Sequence, residues 1–194
     1  MGNNTQGQVI LAKASTNLSE IKKSSDKKVL ITREFSSGGI VYKQEKGVIL
    51  WLVRKTSVSD LFPETHWMLP KGWLDDLDDG VPGPMASGTV KADEETLQKT
   101  AIREVAEETG VDAKIIKKVE TIKYLYRHPT KGKVLKFVTF YLMEWVSDLP
   151  QGFDGETSEI AWLFPEEAYK RLSFSREKEV LKKAGELFKE TSLV

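Results

Sequence analysis

From Val29 onward, apolar residues recur with the β-branched and aromatic character of strands, and the pattern lengthens to a helical step in three places. Val29 to Ile31, Gly39 to Tyr42 and Val48 to Val53 read as strands, with Lys43 to Gly47 as the turn of a hairpin. Leu61 to Trp67 is irregular. Leu69-Pro70-Lys71-Gly72 reads as a loop over the sheet edge, because proline brings no donor to a central strand. The next helical step places Leu97, Ala101, Ile102, Val105 and Ala106 on one face, with Thr96 as the expected N-cap and Gly110 as the C-terminal stop after Thr109. Ala113 to Tyr126 and Val134 to Val146 are two long β runs joined by a hairpin over His128 to Lys133. A strand over Glu159 to Phe164, a short helix begun by Pro165, and a C-terminal amphipathic helix marked by Phe174, Leu181, Ala184, Leu187 and Phe188 complete the pattern. Strands and helices interleave without strict βαβ order. The expected class is α/β, a mixed sheet between helices.

At 194 residues the chain suits one well-buried domain with an arm. Residues 1–28, rich in Asn, Ser, Gln and Lys, read as a loose N-terminal arm, and 29–194 as the domain. Lys+Arg and Asp+Glu both number 29, so no global field draws nucleic acid or an anionic membrane, and the expected partner is a small molecule held by local charge. Cysteine is absent, which excludes disulfides, thiol catalysis and zinc–thiolate sites. With no apolar run of membrane-spanning length and no signal-peptide core, the expected location is the cytoplasm.

The densest chemistry lies in Arg103-Glu104-Val105-Ala106-Glu107-Glu108-Thr109-Gly110. On a helix Glu104, Glu107 and Glu108 fall within an arc of roughly 100°, so their carboxylates can converge. Like charges that close repel, and the repulsion is relieved by a hard cation with oxygen ligands or by a neighbouring arginine. Taken alone, the same residues also suit a solvated acidic face.

With Leu69-Pro70-Lys71-Gly72 and Glu95 upstream, this run resembles the Nudix box: a glycine, a glutamate, then R-E-U-x-E-E-x-G-U with U apolar. The resemblance extends to Ser37-Gly38-Gly39-Ile40-Val41-Tyr42 and to Glu159-Ile160-Ala161-Trp162-Leu163, and covers about residues 34 to 190. One departure is clear. The family leaves five residues between its glycine and first glutamate, whereas Gly72 and Glu95 are separated by twenty-two, Trp73 to Glu94, an insertion of seventeen. Its Asp75 to Pro84 stretch, acidic and punctuated by Gly and Pro, reads as a solvated loop and not a packed element, with a ligand-facing lid as the alternative.

The resemblance implies the Nudix fold and a Mg²⁺-dependent hydrolase, with Mn²⁺ as the alternative ion. It implies cleavage of a diphosphate bond in a nucleoside diphosphate linked to another group. Metal ligation falls to Glu104, Glu107, Glu108 and the Gly72 carbonyl, and Arg103 is expected to pair with Glu95. The general base stays open among Glu104, Asp154, Glu156 and Glu159. Lys71 and Arg54 are the candidate phosphate contacts, and Tyr124, Tyr126 and Phe140 the candidate aromatic ones. Trp67 to Gly72 and Leu172-Ser173-Phe174 look most like bacterial members that act on diadenosine tetraphosphate. Nucleoside triphosphates, ADP-ribose and RNA 5′ ends are the alternatives within the class, and a non-catalytic nucleotide-binding Nudix module is the alternative outside it.

Overall fold

Two antiparallel hairpins with buried faces build the centre of the chain, in a computed structural model that describes residues 31–78 and 80–191. The first is β1 (Thr32–Glu45) with β2 (Val48–Thr56), turned at Lys46 and Gly47, which both adopt positive φ. The second is β7 (Val111–His128) with β8 (Gly132–Asp148), longer at each end than the apolar runs that announce it. β1 and β8 lie parallel from Thr32 to Tyr42, which joins the hairpins into one sheet. The strand expected over Gly39 to Tyr42 is the middle of β1; Val29 and Leu30 of the other expected strand, and the expected N-terminal arm, lie outside the described residues. β3 (Trp67–Met68) and β9 (Thr157–Leu163) pair with β2, and β4 (Lys71–Trp73) pairs with β1, giving a mixed seven-stranded sheet.

The helices cover both faces, as the sequence pattern requires. α1 (Glu94–Thr109) sets Ala101 and Val105 on Val41, Leu52, Tyr141 and Met143. α2 (Pro165–Arg171) and α3 (Ser175–Thr191) cover Trp51, Val53, Phe140 and Leu142 with Ala168, Val180, Leu181 and Phe188. Burial on both faces explains why Phe140 to Met143 is an unbroken apolar run where a half-solvated strand would alternate. Each such side chain contributes about 1.5–3 kcal/mol by leaving water.

Two expectations change. Lys71 and Gly72 are not in a free loop: with Trp73 they form β4, whose partners Ser36 to Gly38 supply the hydrogen bonds that Pro70 does not. The insertion is also tied down. It folds a small hairpin, β5 (Asp76–Asp78) with β6 (Val81–Pro82), and a turn beyond it. The Asp75 carboxylate accepts from the Met85 and Ala86 amides at 3.1 and 2.6 Å, and the Ala86 carbonyl accepts from the Phe35 amide of β1 at 2.8 Å. Leu74 and Ala86 are buried. A polar sequence thus docks through backbone groups, which its composition does not advertise.

Glu34 of β1 ties three further positions. It is buried, accepts from the Tyr126 hydroxyl at 2.9 Å and from Lys131 at 3.0 Å, and lies 3.9 Å from Lys136. Burial alone would push its carboxyl up, but the bond from Lys131, the charge of Lys136 and the bond from Tyr126 outweigh it and hold the group below the usual carboxylate range.

Two outcomes follow from these anchors. Asp75→Ala strands two amides and should cost about 1–3 kcal/mol in chemical denaturation, with proteolytic cleavage opening between Asp76 and Val90; unchanged stability and protection would show that the insertion is not anchored there. Because the folded pKa of Glu34 is depressed, its contribution is present above the ordinary carboxylate range and is lost as pH falls through it. Glu34→Gln should therefore lower Tm at neutral pH, and the gap to wild type should close between about pH 5 and about pH 3. A gap that persists in acid would refute the assignment.

Candidate active site

α1 begins one turn away from where its composition suggests. Asp93, not Thr96, is the N-cap, its carboxylate accepting from the Thr96 amide at 2.8 Å. At the other end Gly110 takes φ 66°, the left-handed conformation that ends a helix, and its amide returns to the Ala106 carbonyl. The loop after β8 closes over that end: Leu149 donates to the Gly110 carbonyl at 2.7 Å and Asp154 to the Glu107 carbonyl at 2.8 Å. Ala101 and Val105 pin the helix to the sheet, so the residues three places on from each, Glu104 and Glu108, are carried to the border of the buried face. They are 7% and 2% exposed. The Glu107 side chain points outward and is 48% exposed.

Each carboxylate has a cationic partner. Glu108 forms an ion pair with Arg54 and accepts from the Lys71 amide at 2.6 Å. Arg54 also donates to the Glu156 carbonyl and the Thr157 hydroxyl, each at 3.1 Å. Glu104 and Glu107 share Arg103, at 2.6 and 2.9 Å, and Arg103 donates in addition to the Trp73 carbonyl at 2.9 Å. The expected Arg103–Glu95 pair does not form. Glu95 lies in the first turn and pairs with Lys99, while Arg103 is two turns away beside nearer carboxylates. Burial pushes the Glu104 carboxyl up to about 8, against the pull of Arg103 and with Glu108, Glu107 and Glu156 adding to it. Burial likewise raises Glu108 to about 7 in spite of Arg54 and Lys71.

Among the described residues no three acidic or histidine side chains stand in an arrangement that could hold a metal ion. The donors nevertheless suit one. Three carboxylates are hard oxygen ligands, two of them buried, and Glu104 packs so closely on Gly72 that a side chain there would collide with its carboxylate. A divalent ion held by Glu104 and Glu107 would compete with the Arg103 guanidinium for the same two groups.

Beside these acids opens a cavity of about 800 Å³, with Arg54, Lys71, Lys136, Tyr124, Tyr126 and Glu156 among its walls. His66 and Phe174 also line it, ring centres 5.1 Å apart. Glu156 is the loop carboxylate whose charge reaches both Glu104 and Glu108. Asp154 instead caps its own loop, accepting from the Glu156 amide at 2.9 Å, and Glu159 faces Lys55 at 3.8 Å. Phe140 is wholly buried in the core and cannot meet a ligand. Sequence reasoning does not find Lys136, nor Glu177 of α3, which is buried and accepts from the Leu69 amide at 2.8 Å and pairs with Lys71 at 3.3 Å. Their partners are remote in the chain, and no spacing announces them.

Comparison with known proteins identifies the family and the fold. A family described as the NUDIX domain matches residues 32–184. A Mycobacterium tuberculosis (strain CDC 1551 / Oshkosh) protein named "Putative mutator protein MutT4" is 37% identical over 94 residues, 48% of this chain; the match spans 37% of that protein's length. Among solved structures, an Ap4A hydrolase of C. elegans in a binary complex superposes with TM-score 0.56 at 19% identity, covering 81% of this chain and 98% of its own. The NUDIX domain of Shewanella oneidensis NrtR, bound to ADP ribose, gives 0.55 at 16% identity over 89% and 99%. These likenesses speak for a shared fold, and with the family match over most of its described length, this chain belongs to the Nudix domain family.

Proposed function

We propose that the chain is a Mg²⁺-dependent hydrolase that cleaves a diphosphate bond in a nucleoside diphosphate linked to another group, with dinucleoside polyphosphates as its substrates. The observation that carries the reading is the adjacency of a buried carboxylate pair, Glu104 and Glu108, to a cavity of about 800 Å³ walled by cations and aromatic rings. Such a cavity suits a polyanion with a flat end group. Glu104, Glu107, Glu108 and the Gly72 carbonyl would hold the ion. When bound, it would neutralise phosphoryl charge and lower the pKa of a water. Arg54 and Lys71 orient the phosphates, with the guanidinium held by Glu108, the Glu156 carbonyl and the Thr157 hydroxyl. Tyr124 and Tyr126 offer faces to a base. On this reading Glu104 or Glu156 takes the proton from the attacking water.

A second reading is a nucleotide-binding module without turnover. It is favoured by one observation, the hold of Arg103 on both Glu104 and Glu107.

Turnover of a panel containing diadenosine tetraphosphate, nucleoside triphosphates and ADP-ribose, measured with Mg²⁺ and with chelator, separates the two readings: hydrolysis only with the metal is expected, and binding without hydrolysis favours the module. Glu107→Gln should lower kcat by about a hundredfold or more with little change in Tm, because the side chain is half exposed and supplies charge to the metal. Glu108→Gln should abolish activity and also cost about 3 kcal/mol, since it leaves the buried Arg54 without its counter-charge. Activity of Glu107→Gln within a few-fold of wild type would remove it from the metal site.

A further inference from the structure

The connection from β3 to β4, Leu69-Pro70-Lys71, is held by two buried carboxylates that come from helices on opposite faces of the sheet. Glu108 of α1 accepts from the Lys71 amide at 2.6 Å, and Glu177 of α3 accepts from the Leu69 amide at 2.8 Å. Pro70 has no amide to offer, and its carbonyl accepts from the Gly39 amide of β1 at 3.1 Å. The entry to α3 is itself tied to β3: the Trp67 amide donates to the Ser173 hydroxyl at 3.0 Å, and the Ser173 amide to the Trp67 carbonyl at 2.9 Å. The reach of Glu177 is therefore preset by backbone. Its second oxygen lies 3.3 Å from the Lys71 ammonium, and the two side chains are 3% and 5% exposed. Among the described residues the other partner of that ammonium is the Met68 Sδ at 3.8 Å, a weak acceptor. The charge of Lys71 is felt at Lys136 on the same cavity wall, so the two cations repel. Without Glu177, one sulfur would hold Lys71 against that repulsion.

We infer that Glu177 is a positioning residue for the reaction: through Lys71 it sets where that ammonium stands in the cavity, and through the Leu69 amide it steadies the segment that leads to Gly72. The inference rests on the hydrolase reading above and adds to it a residue that acts through another. Glu177 lines the cavity, and its charge repels the polyanion proposed to bind there. A carboxylate in that place lowers affinity. What it returns is aim, because a lysine stem with four rotatable bonds is otherwise free to follow the ligand instead of orienting it. Removing the charge should therefore tighten binding and slow turnover, a combination that a side chain serving the fold alone does not produce.

The experiment uses the full chain with Glu177→Gln, whose amide oxygen still accepts from Leu69 while the charge opposite Lys71 is gone, and with Lys71→Gln as the second arm. In calorimetric titration, inorganic tripolyphosphate in chelator should bind Glu177→Gln about threefold more tightly than wild type. With Mg²⁺, kcat for the best substrate of the nucleotide panel should nevertheless fall about tenfold. In the Lys71→Gln background the same change should alter kcat by less than about twofold, because the group it positions is absent. A readout independent of turnover is the Lys71 ammonium in a chain with ¹⁵N-labelled lysine, identified by its absence from Lys71→Gln. Its slowly exchanging signal in wild type should be lost in Glu177→Gln. Should Glu177→Gln not fold, Glu177→Asp, which draws the charge back by a methylene, takes its place: tripolyphosphate affinity then stays within about twofold and kcat again falls about tenfold. Weaker tripolyphosphate binding in Glu177→Gln, equal losses of kcat with and without Lys71, or an ammonium signal that survives overturns the inference. If wild type turns over no nucleotide, the hydrolase reading fails by itself, and the ammonium signal still decides whether Glu177 holds Lys71.

Discussion

The Glu108 carboxylate is the point from which the candidate site hangs. It brings three parts of the fold to one place: α1, on which it sits; β2, through Arg54; and β4, through the Lys71 amide. Arg54 extends the tie to the entry of β9 through Glu156 and Thr157. A buried ion pair of this kind is poor at stabilising a fold, because desolving both charges costs about as much as their attraction returns. What it fixes is position. Leaving either partner alone is far more costly than keeping both, so Gly72 is held against Glu104 and the cavity wall against the acids.

The elements were legible where a local period is strong, and the partnerships were not. The α1 stripe, the Gly110 stop, the Pro165 start and the long β7–β8 hairpin follow from spacing alone. Asp93 and Thr96 both have side chains that cap helices, and only geometry shows that the first accepts from the amide of the second. Three-residue β4 is too short for a period to register, and its pairing with β1 is what places Lys71 and Gly72. The motif supplied Arg103, Glu104, Glu107 and Glu108 as residues. It misjudged Arg103, since an arginine beside one glutamate and a turn before another meets both at less entropic cost than a glutamate two turns back. Glu34, Lys136 and Glu177 carry no signal in sequence because the partner of each lies on a distant strand or helix.

The insertion illustrates how a long excursion is accommodated. Loop-closure entropy grows slowly with length, so seventeen extra residues are a small burden if a few contacts return it. Asp75 supplies two of them within the segment, and Ala86 one to β1. Trp73, at its base, lies under Lys131 at 4.5 Å, the same lysine that holds Glu34. The insertion root and the Glu34 cluster are thereby parts of one contact chain that ends at Lys136.

Charge is segregated across the site in a way that neither half resolves alone. On the helix side, Glu104 and Glu108 are carboxylates withdrawn from water and paired with arginines that serve other groups as well, Glu108 accepting also from the Lys71 amide. On the strand side, Lys136 is an ammonium withdrawn from water whose nearest carboxylate, Glu34, also serves Lys131 and Tyr126. A cation alone answers the first imbalance, and a polyanion alone answers the second. A ligand that carries a divalent ion at one end of a phosphate chain answers both at once, without bringing a large net charge into a poorly solvated cavity. On the proposed reading the metal and the polyphosphate would arrive as one complex, because each would offset the desolvation that the other imposes.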